Sequence, residues 1–203
     1  HPDLNDGQNA AVRHALTSTD WIMMIEGGAG VGKTTLARAA EAEIRKAGRQ
    51  VFFFAPSSTA SRDTLAEHFP EANTVAYPLA NRVLHQRLRG QVLWIDEAGQ
   101  LGVKDMNRVL ALAERLHCRV ILSGDTAQHA AVQAGDAMRL LKKFGVRPAE
   151  VTEIVRQSGQ YKDAVAAIKR GDIAIGFDIL DQLGWIREVP RELLNTLPVE
   201  DAV

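Results

Sequence analysis

Gly27, Gly32, Lys33 and Thr34, in the stretch "GGAGVGKTT", satisfy the pattern G-x-x-x-x-G-K-[ST] in full. The chemistry this spacing supports is a grip on a polyphosphate. Glycines let the backbone N–H groups of Gly27, Gly28, Ala29, Gly30, Val31 and Gly32 curl around an anion, and the helix that begins near Thr35 adds the positive end of its dipole. Lys33 has the reach to touch the β and γ phosphates, and the Thr34 hydroxyl suits Mg²⁺. A chance glycine turn is the alternative. The loop's position, after an apolar run and before helical spacing, favours a nucleotide site.

A second group can complete that chemistry. "VLWIDEAGQ" ends an apolar run in Asp96 and Glu97, which places two carboxylates at the carboxyl edge of a sheet, where ligands of such folds bind. Asp96 suits Mg²⁺, and Glu97 suits the task of orienting and deprotonating an attacking water; an acidic helix N-cap is the alternative, which the loop upstream disfavours. Gln128, in "GDTAQ", follows another strand end and can hydrogen-bond a γ-phosphate or its water, or simply sit in a polar turn. Arg156, in "VRQS", can meet the same phosphate, although a lone arginine ordinarily reads as surface.

The elements that must position these groups alternate. Strands are predicted at 21–26, 51–55, 92–96 and 119–124, each an apolar run of the kind buried on both faces of a parallel sheet. A first helix over 5–17 puts Gln8, Ala11, Val12, Ala15 and Leu16 on one face, with Asn5 or Asp6 as cap. Leu36, Ala40, Ile44 and Ala47 mark a second helix that Gly48 closes. A third is expected over 59–68, and Met106, Val109, Leu110, Leu112 and Leu116 mark a fourth. The fold class is therefore α/β, a parallel sheet flanked by helices. From 158 onward helical segments dominate, which predicts a small, mostly helical appendage.

With 203 residues, 46% hydrophobic and 24% charged, the chain suits one medium domain with an appendage. No apolar run approaches a membrane span and no secretory leader is visible, so a cytoplasmic setting is expected. The single cysteine, Cys118, excludes an internal disulfide. A net charge of −1 excludes a global basic field, so any nucleic-acid contact must be local. A chain that starts without Met and ends at "VEDAV" is expected to be a piece of something larger.

Taken in order, "LNDGQ", "GGAGVGKTT", "APSSTAS", "IDEAGQL", "LSGDTAQ" and "EIVRQ" resemble the motifs of superfamily 1 DNA helicases of the RecD-like branch, and the phrasing of 96–141 is most similar to the helicase part of conjugative relaxase-helicases of the TraI/TrwC type. The resemblance implies a RecA-like P-loop NTPase domain over 1–157 and, over 158–203, a connection toward a second RecA-like domain. It implies ATP and Mg²⁺ as cofactors, Gln8 on the adenine, Lys33 and Thr34 on phosphate and metal, Asp96 and Glu97 in hydrolysis, and Gln128 and Arg156 as γ-phosphate sensors. It also implies a single-stranded DNA track at Ser57, Ser58, Thr59 and Thr74, and 5′-to-3′ movement. Read alone, "PSST" is a capped helix start, which is compatible with the track because hydroxyls and helix N-termini are good phosphate ligands. Tyr77 could stack a base but reads more simply as packing.

Two departures stand out. His129 occupies a position where the family usually has an apolar residue, and no arginine motif of a second motor domain follows Gln157. Two other function classes compete: a non-catalytic single-strand-binding module, which would be expected to have lost Lys33 or the acidic pair, and another kind of P-loop ATPase, in which Ser57–Thr59 would have no DNA role.

Overall fold

The computed structural model describes residues 1, 4–28, 30–60, 65–125, 137–153 and 160–186. It divides into two compact units, His1–Val155 and Arg156–Val203. At the centre of the first lies a parallel six-stranded sheet formed by β1 (Ile22–Glu26), β2 (Val51–Ala55), β3 (Asn73–Thr74), β4 (Val92–Ile95), β5 (Arg119–Gly124) and β6 (Pro148–Glu150). Their order in space is β3-β2-β4-β5-β1-β6.

The strands form because their side chains find apolar cover on both faces. Residues two apart share a face, and the burial follows that parity. Met23, Ile25, Phe53, Trp94 and Ile121 pack against α1 (Asp6–Thr17) and α2 (Lys33–Lys46). Met24, Phe52, Phe54, Leu93, Ile95, Val120 and Leu122 face the other side, where Met106, Val109 and Leu112 supply the apolar stripe of α5 (Val103–Arg115). Between β3 and β4 lie two short helices, α3 (Ala76–Ala80) and α4 (Leu84–Leu88), and α6 (Ala137–Lys143) precedes β6.

All four strands expected from the apolar runs are present. The sheet gains β3 and β6, whose two and three residues are too short for periodicity to disclose. Pro148 can open β6 because that strand lies at the edge of the sheet and needs no N–H on its open side. The first helix is capped as expected, but its buried face is narrower: Leu16 is exposed, and Gln8, Ala11, Val12 and Ala15 do the packing. The helix expected over 59–68 falls partly on residues outside those described; within it, His68 and Phe69 close a turn onto the Leu65 carbonyl. Cys118 is buried at the start of β5, its thiol donating to the Leu88 carbonyl.

The second unit contains α7 (Gln160–Lys169) and α8 (Ile173–Gln182), as the helical spacing predicts. Small residues let them approach closely: Ala164, Ala167 and Gly176 are buried, and Gly176 abuts Ile168 and the Ala164 carbonyl. No helix among the described residues is long and apolar enough to cross a membrane.

Candidate functional site

The phosphate-loop motif leaves the carboxyl end of β1, next to the centre of the sheet. Gly27 N–H donates to the Gly124 carbonyl at 3.0 Å, and a Cβ added at Gly27 would lie 2.8 Å from Val31 Cγ2 and 2.9 Å from the Val151 carbonyl. Only glycine fits so close an approach. Gly30 and Gly32 turn the chain through left-handed backbone, with φ of 81° and 76°, and deliver Lys33 as the first residue of α2. Lys33 Nζ donates to the carbonyls of Gly27 at 2.9 Å and Gly28 at 3.2 Å. It also lies 4.0 Å from Glu97 Oε1, with the lysine side chain only 11% exposed. Thr34 is half-buried and Thr35 exposed.

Gln8 reaches this loop from α1. Its Nε2 donates to the Val31 carbonyl at 2.8 Å, and its Oε1 accepts from Asn5 N–H at 3.0 Å. The reciprocal bond from Gln8 N–H to Asn5 Oδ1, at 2.8 Å, completes a capping box at the start of α1. At 2% exposure, this residue joins the helix to the loop. The sequence motif pointed to adenine and gave no hint of that structural bond.

Asp96 and Glu97 follow β4, and Asp96 N–H extends the ladder to the Phe54 carbonyl at 2.8 Å. Glu97 occupies left-handed backbone, φ 50° and ψ 35°, a conformation that costs a non-glycine residue and is concentrated at functional sites. Burial pushes its carboxyl above the ordinary value; Lys33 opposes the rise, and Asp96 and Asp125 add to it. Its proton affinity is thereby higher than that of a solvent-exposed carboxylate.

Trp94 in β4 and Asp96 just past its end are two residues apart in extended chain and point to one face, and Ser123 of β5 lies one step beyond the Ile95–Leu122 pair. Trp94 Nε1 donates to Ser123 Oγ at 2.8 Å, and Ser123 Oγ donates to Asp96 Oδ1 at 2.6 Å. Sequence reasoning passed over Ser123. Its signal was a hydroxyl directly after the apolar run Val120–Leu122 of β5, which burial obliges to find a partner.

The donor set fits Mg²⁺ rather than a caged transition metal. Asp96 supplies one carboxylate and Thr34 one hydroxyl, and the described residues contain no cluster of three or more His, Cys, Asp or Glu able to hold a metal ion alone. Mg²⁺ is ordinarily held by one or two carboxylates together with substrate phosphates and water.

Backbones converge beneath the acidic pair. A Cβ on Gly124 would meet Met138 Sδ at 3.0 Å, Gly99 N at 3.1 Å and Ala98 N at 3.3 Å. Glu26, immediately before the loop, pairs with Lys142 of α6.

Ser57, Ser58 and Thr59 lie exposed just beyond β2, and Thr74 is paired beside Ala55 in β3. The expected track residues thus share one corner of the sheet. Ser57 Oγ accepts from Ala60 N–H at 3.2 Å, the capping bond a helix start requires. Ala29, Gln128 and Arg156 lie outside the described residues.

A family model for the AAA domain matches residues 3–191. The chain is 30% identical over 200 residues to the multifunctional conjugation protein TraI of Escherichia coli K12, covering 93% of this chain and 11% of that protein. It is 30% identical over 177 residues to the conjugal transfer protein TraA of Rhizobium radiobacter, covering 85% and 16%. It therefore spans about a tenth to a sixth of the length of these relatives. In fold it is similar to a solved Pif1 helicase from Bacteroides, with a TM-score of 0.58 at 17% identity over 90% of this chain and 50% of that one. These matches agree with the motif order read from the sequence. The chain belongs to the AAA domain family, as a helicase-like P-loop domain related to the conjugation proteins TraI and TraA.

Proposed function

We propose that the first unit binds ATP with Mg²⁺ and hydrolyses it as one half of a motor acting on single-stranded DNA. The observation that carries this reading is Glu97, a carboxylate in left-handed backbone beside Asp96 and 4.0 Å from the loop lysine. Lys33 would exchange the carbonyls of Gly27 and Gly28 for β and γ phosphate oxygens, while loop N–H groups from Gly27 to Thr35 hold the rest of the polyphosphate. Thr34 and Asp96 would hold Mg²⁺, which when bound offsets charge on the phosphates. Glu97 orients a water and accepts its proton.

The adenine reading of Gln8 would use its second amide hydrogen and remaining lone pair. Gln128 and Arg156 are proposed as γ-phosphate sensors, and Ser57, Ser58, Thr59 and Thr74 as contacts to the DNA backbone. In the same reading, 1–157 is a first RecA-like motor domain and 158–203 a connection toward a second. The kinship with TraI and TraA supports a role in conjugative DNA transfer; 5′-to-3′ movement and a cytoplasmic setting are part of the same proposal and rest on the motif resemblance.

Fluorescent ATP and ADP analogues test this directly. Binding should require Lys33 and strengthen with Mg²⁺, whereas hydrolysis by this chain alone should be feeble. An arginine supplied from outside a P-loop site contributes about 10³ to 10⁵ in rate in related systems. Robust strand separation by the 203-residue chain would overturn the half-motor reading, and absence of nucleotide binding would overturn the ATP site.

A further inference from the structure

We infer that Ser123 and Trp94 are positioning residues for the Mg²⁺ ligand Asp96, through a hydrogen-bond relay buried in the sheet. The inference rests on the ATP–Mg²⁺ reading of the site.

The relay has a direction. Trp94 carries a single side-chain donor and no acceptor, and that donor points at Ser123 Oγ from 2.8 Å. By filling an acceptor site of the hydroxyl, the indole leaves its hydrogen free for Asp96 Oδ1 at 2.6 Å. The rival acceptor, the Ile95 carbonyl, is farther from Ser123 Oγ, at 3.5 Å. One carboxylate oxygen is thus engaged from inside the sheet, which fixes the rotamer of Asp96 and leaves Oδ2 for metal or metal-bound water.

The relay is also rigid. Trp94 and Ser123 are each 1% exposed, so water cannot substitute for either partner. Phe53 packs against the Trp94 ring with centroids 5.5 Å apart and stacks on Phe69 at 3.6 Å, which holds the indole in its plane. Hydrogen bonds in such a chain polarise one another at low local dielectric. A phenylalanine at 94 would fill the apolar site, so the indole N–H is the part of Trp94 that packing alone does not require.

The test is titration of the 203-residue chain with a fluorescent ADP analogue, with excess Mg²⁺ and again with EDTA. The affinity ratio isolates what the metal adds. Removing an outer partner of a metal ligand typically weakens metal affinity by about 10- to 100-fold. Ser123→Ala should therefore shrink the Mg²⁺-dependent gain by roughly tenfold while leaving the EDTA affinity unchanged. Trp94→Phe should shrink it less, because the serine hydroxyl remains.

A second readout needs no substitution at the relay. In the ¹⁵N-labelled chain bound to ADP, Mg²⁺ should shift the indole N–H resonance of Trp94 and leave that of Trp21, whose indole donates to the Cys118 carbonyl at the other end of β5, in place. If the parent chain gains no affinity from Mg²⁺, the metal reading itself fails. If the parent gains and Ser123→Ala gains equally, or loses as much in EDTA, or if the Trp94 resonance stays still, the relay is wrong and the nucleotide site stands.

Discussion

The side-chain amide of Gln8 donates to the main-chain carbonyl of Val31 across 2.8 Å, so the first helix and the phosphate loop form one hydrogen-bonded unit. Gln8→Ala strands that buried carbonyl and removes the acceptor for Asn5 N–H. The loss should be about 2 kcal/mol, or roughly 4–8 °C in Tm for a unit of this size, read by thermal denaturation. Affinity for ATP and GTP should fall together through the loop; a loss confined to ATP would show that contact with the base dominates.

Gly27→Ala forces a methyl against Val31 and the Val151 carbonyl at under 3 Å. Backbone cannot yield as a flexible side chain would, so overpacking should cost about 1–3 kcal/mol. The bond from Val151 N–H to the Glu26 carbonyl, 2.8 Å long, lies beside the intrusion. Its amide should exchange faster with deuterium while the amides of β4 stay protected.

For Glu97 the sign of the pH dependence follows from burial. The folded state favours the neutral carboxyl, so this group contributes stability below its unfolded pKa, and the contribution is lost as pH rises through the higher folded one. Glu97→Gln should therefore raise Tm at neutral pH, with the gain fading as pH falls below the carboxylate range. The same substitution should lower ATP turnover by about 10²- to 10⁴-fold and erase an acid limb lying above the ordinary carboxylate value.

Lys33 supplies the opposing influence on that carboxyl. Lys33→Met should push Glu97 further up, visible in a carbon-detected NMR titration. Truncating a buried, hydrogen-bonded charge typically costs 2–5 kcal/mol, so nucleotide affinity should drop by at least about 30-fold. An unmoved Glu97 would show that the 4.0 Å contact carries no electrostatic coupling.

The parts of the fold legible in sequence were those with strong local signals. "IMMI", "VFFFA", "VLWI" and the "VIL" within "RVILSG" are apolar runs and lie in β1, β2, β4 and β5, while the glycines and Lys33 announced the turn between β1 and α2. Asn73–Thr74 and Pro148–Glu150 gave nothing to read because their strand state comes from pairing with β2 and β1. The residue types of the acidic pair were legible, but the left-handed backbone of Glu97 was not, since a glutamate carries no local signal for that conformation. Ser123 and Trp94 escaped notice for a related reason: each looks like ordinary strand filling until the neighbouring strand is in register.

The close contact at Gly124 bears on how the domain can move. The strand that leads to the loop, the turn after the acidic pair and the strand that leads toward Gln128 meet backbone to backbone, with Gly27 N–H on the Gly124 carbonyl and Gly99 N 3.1 Å from where a Gly124 Cβ would stand. The side chain closest to this junction is that of Met138, whose Sδ lies 3.0 Å from where a Gly124 Cβ would stand. With backbone set against backbone this closely, a shift of one segment by more than a few tenths of an ångström would require the other two to shift with it.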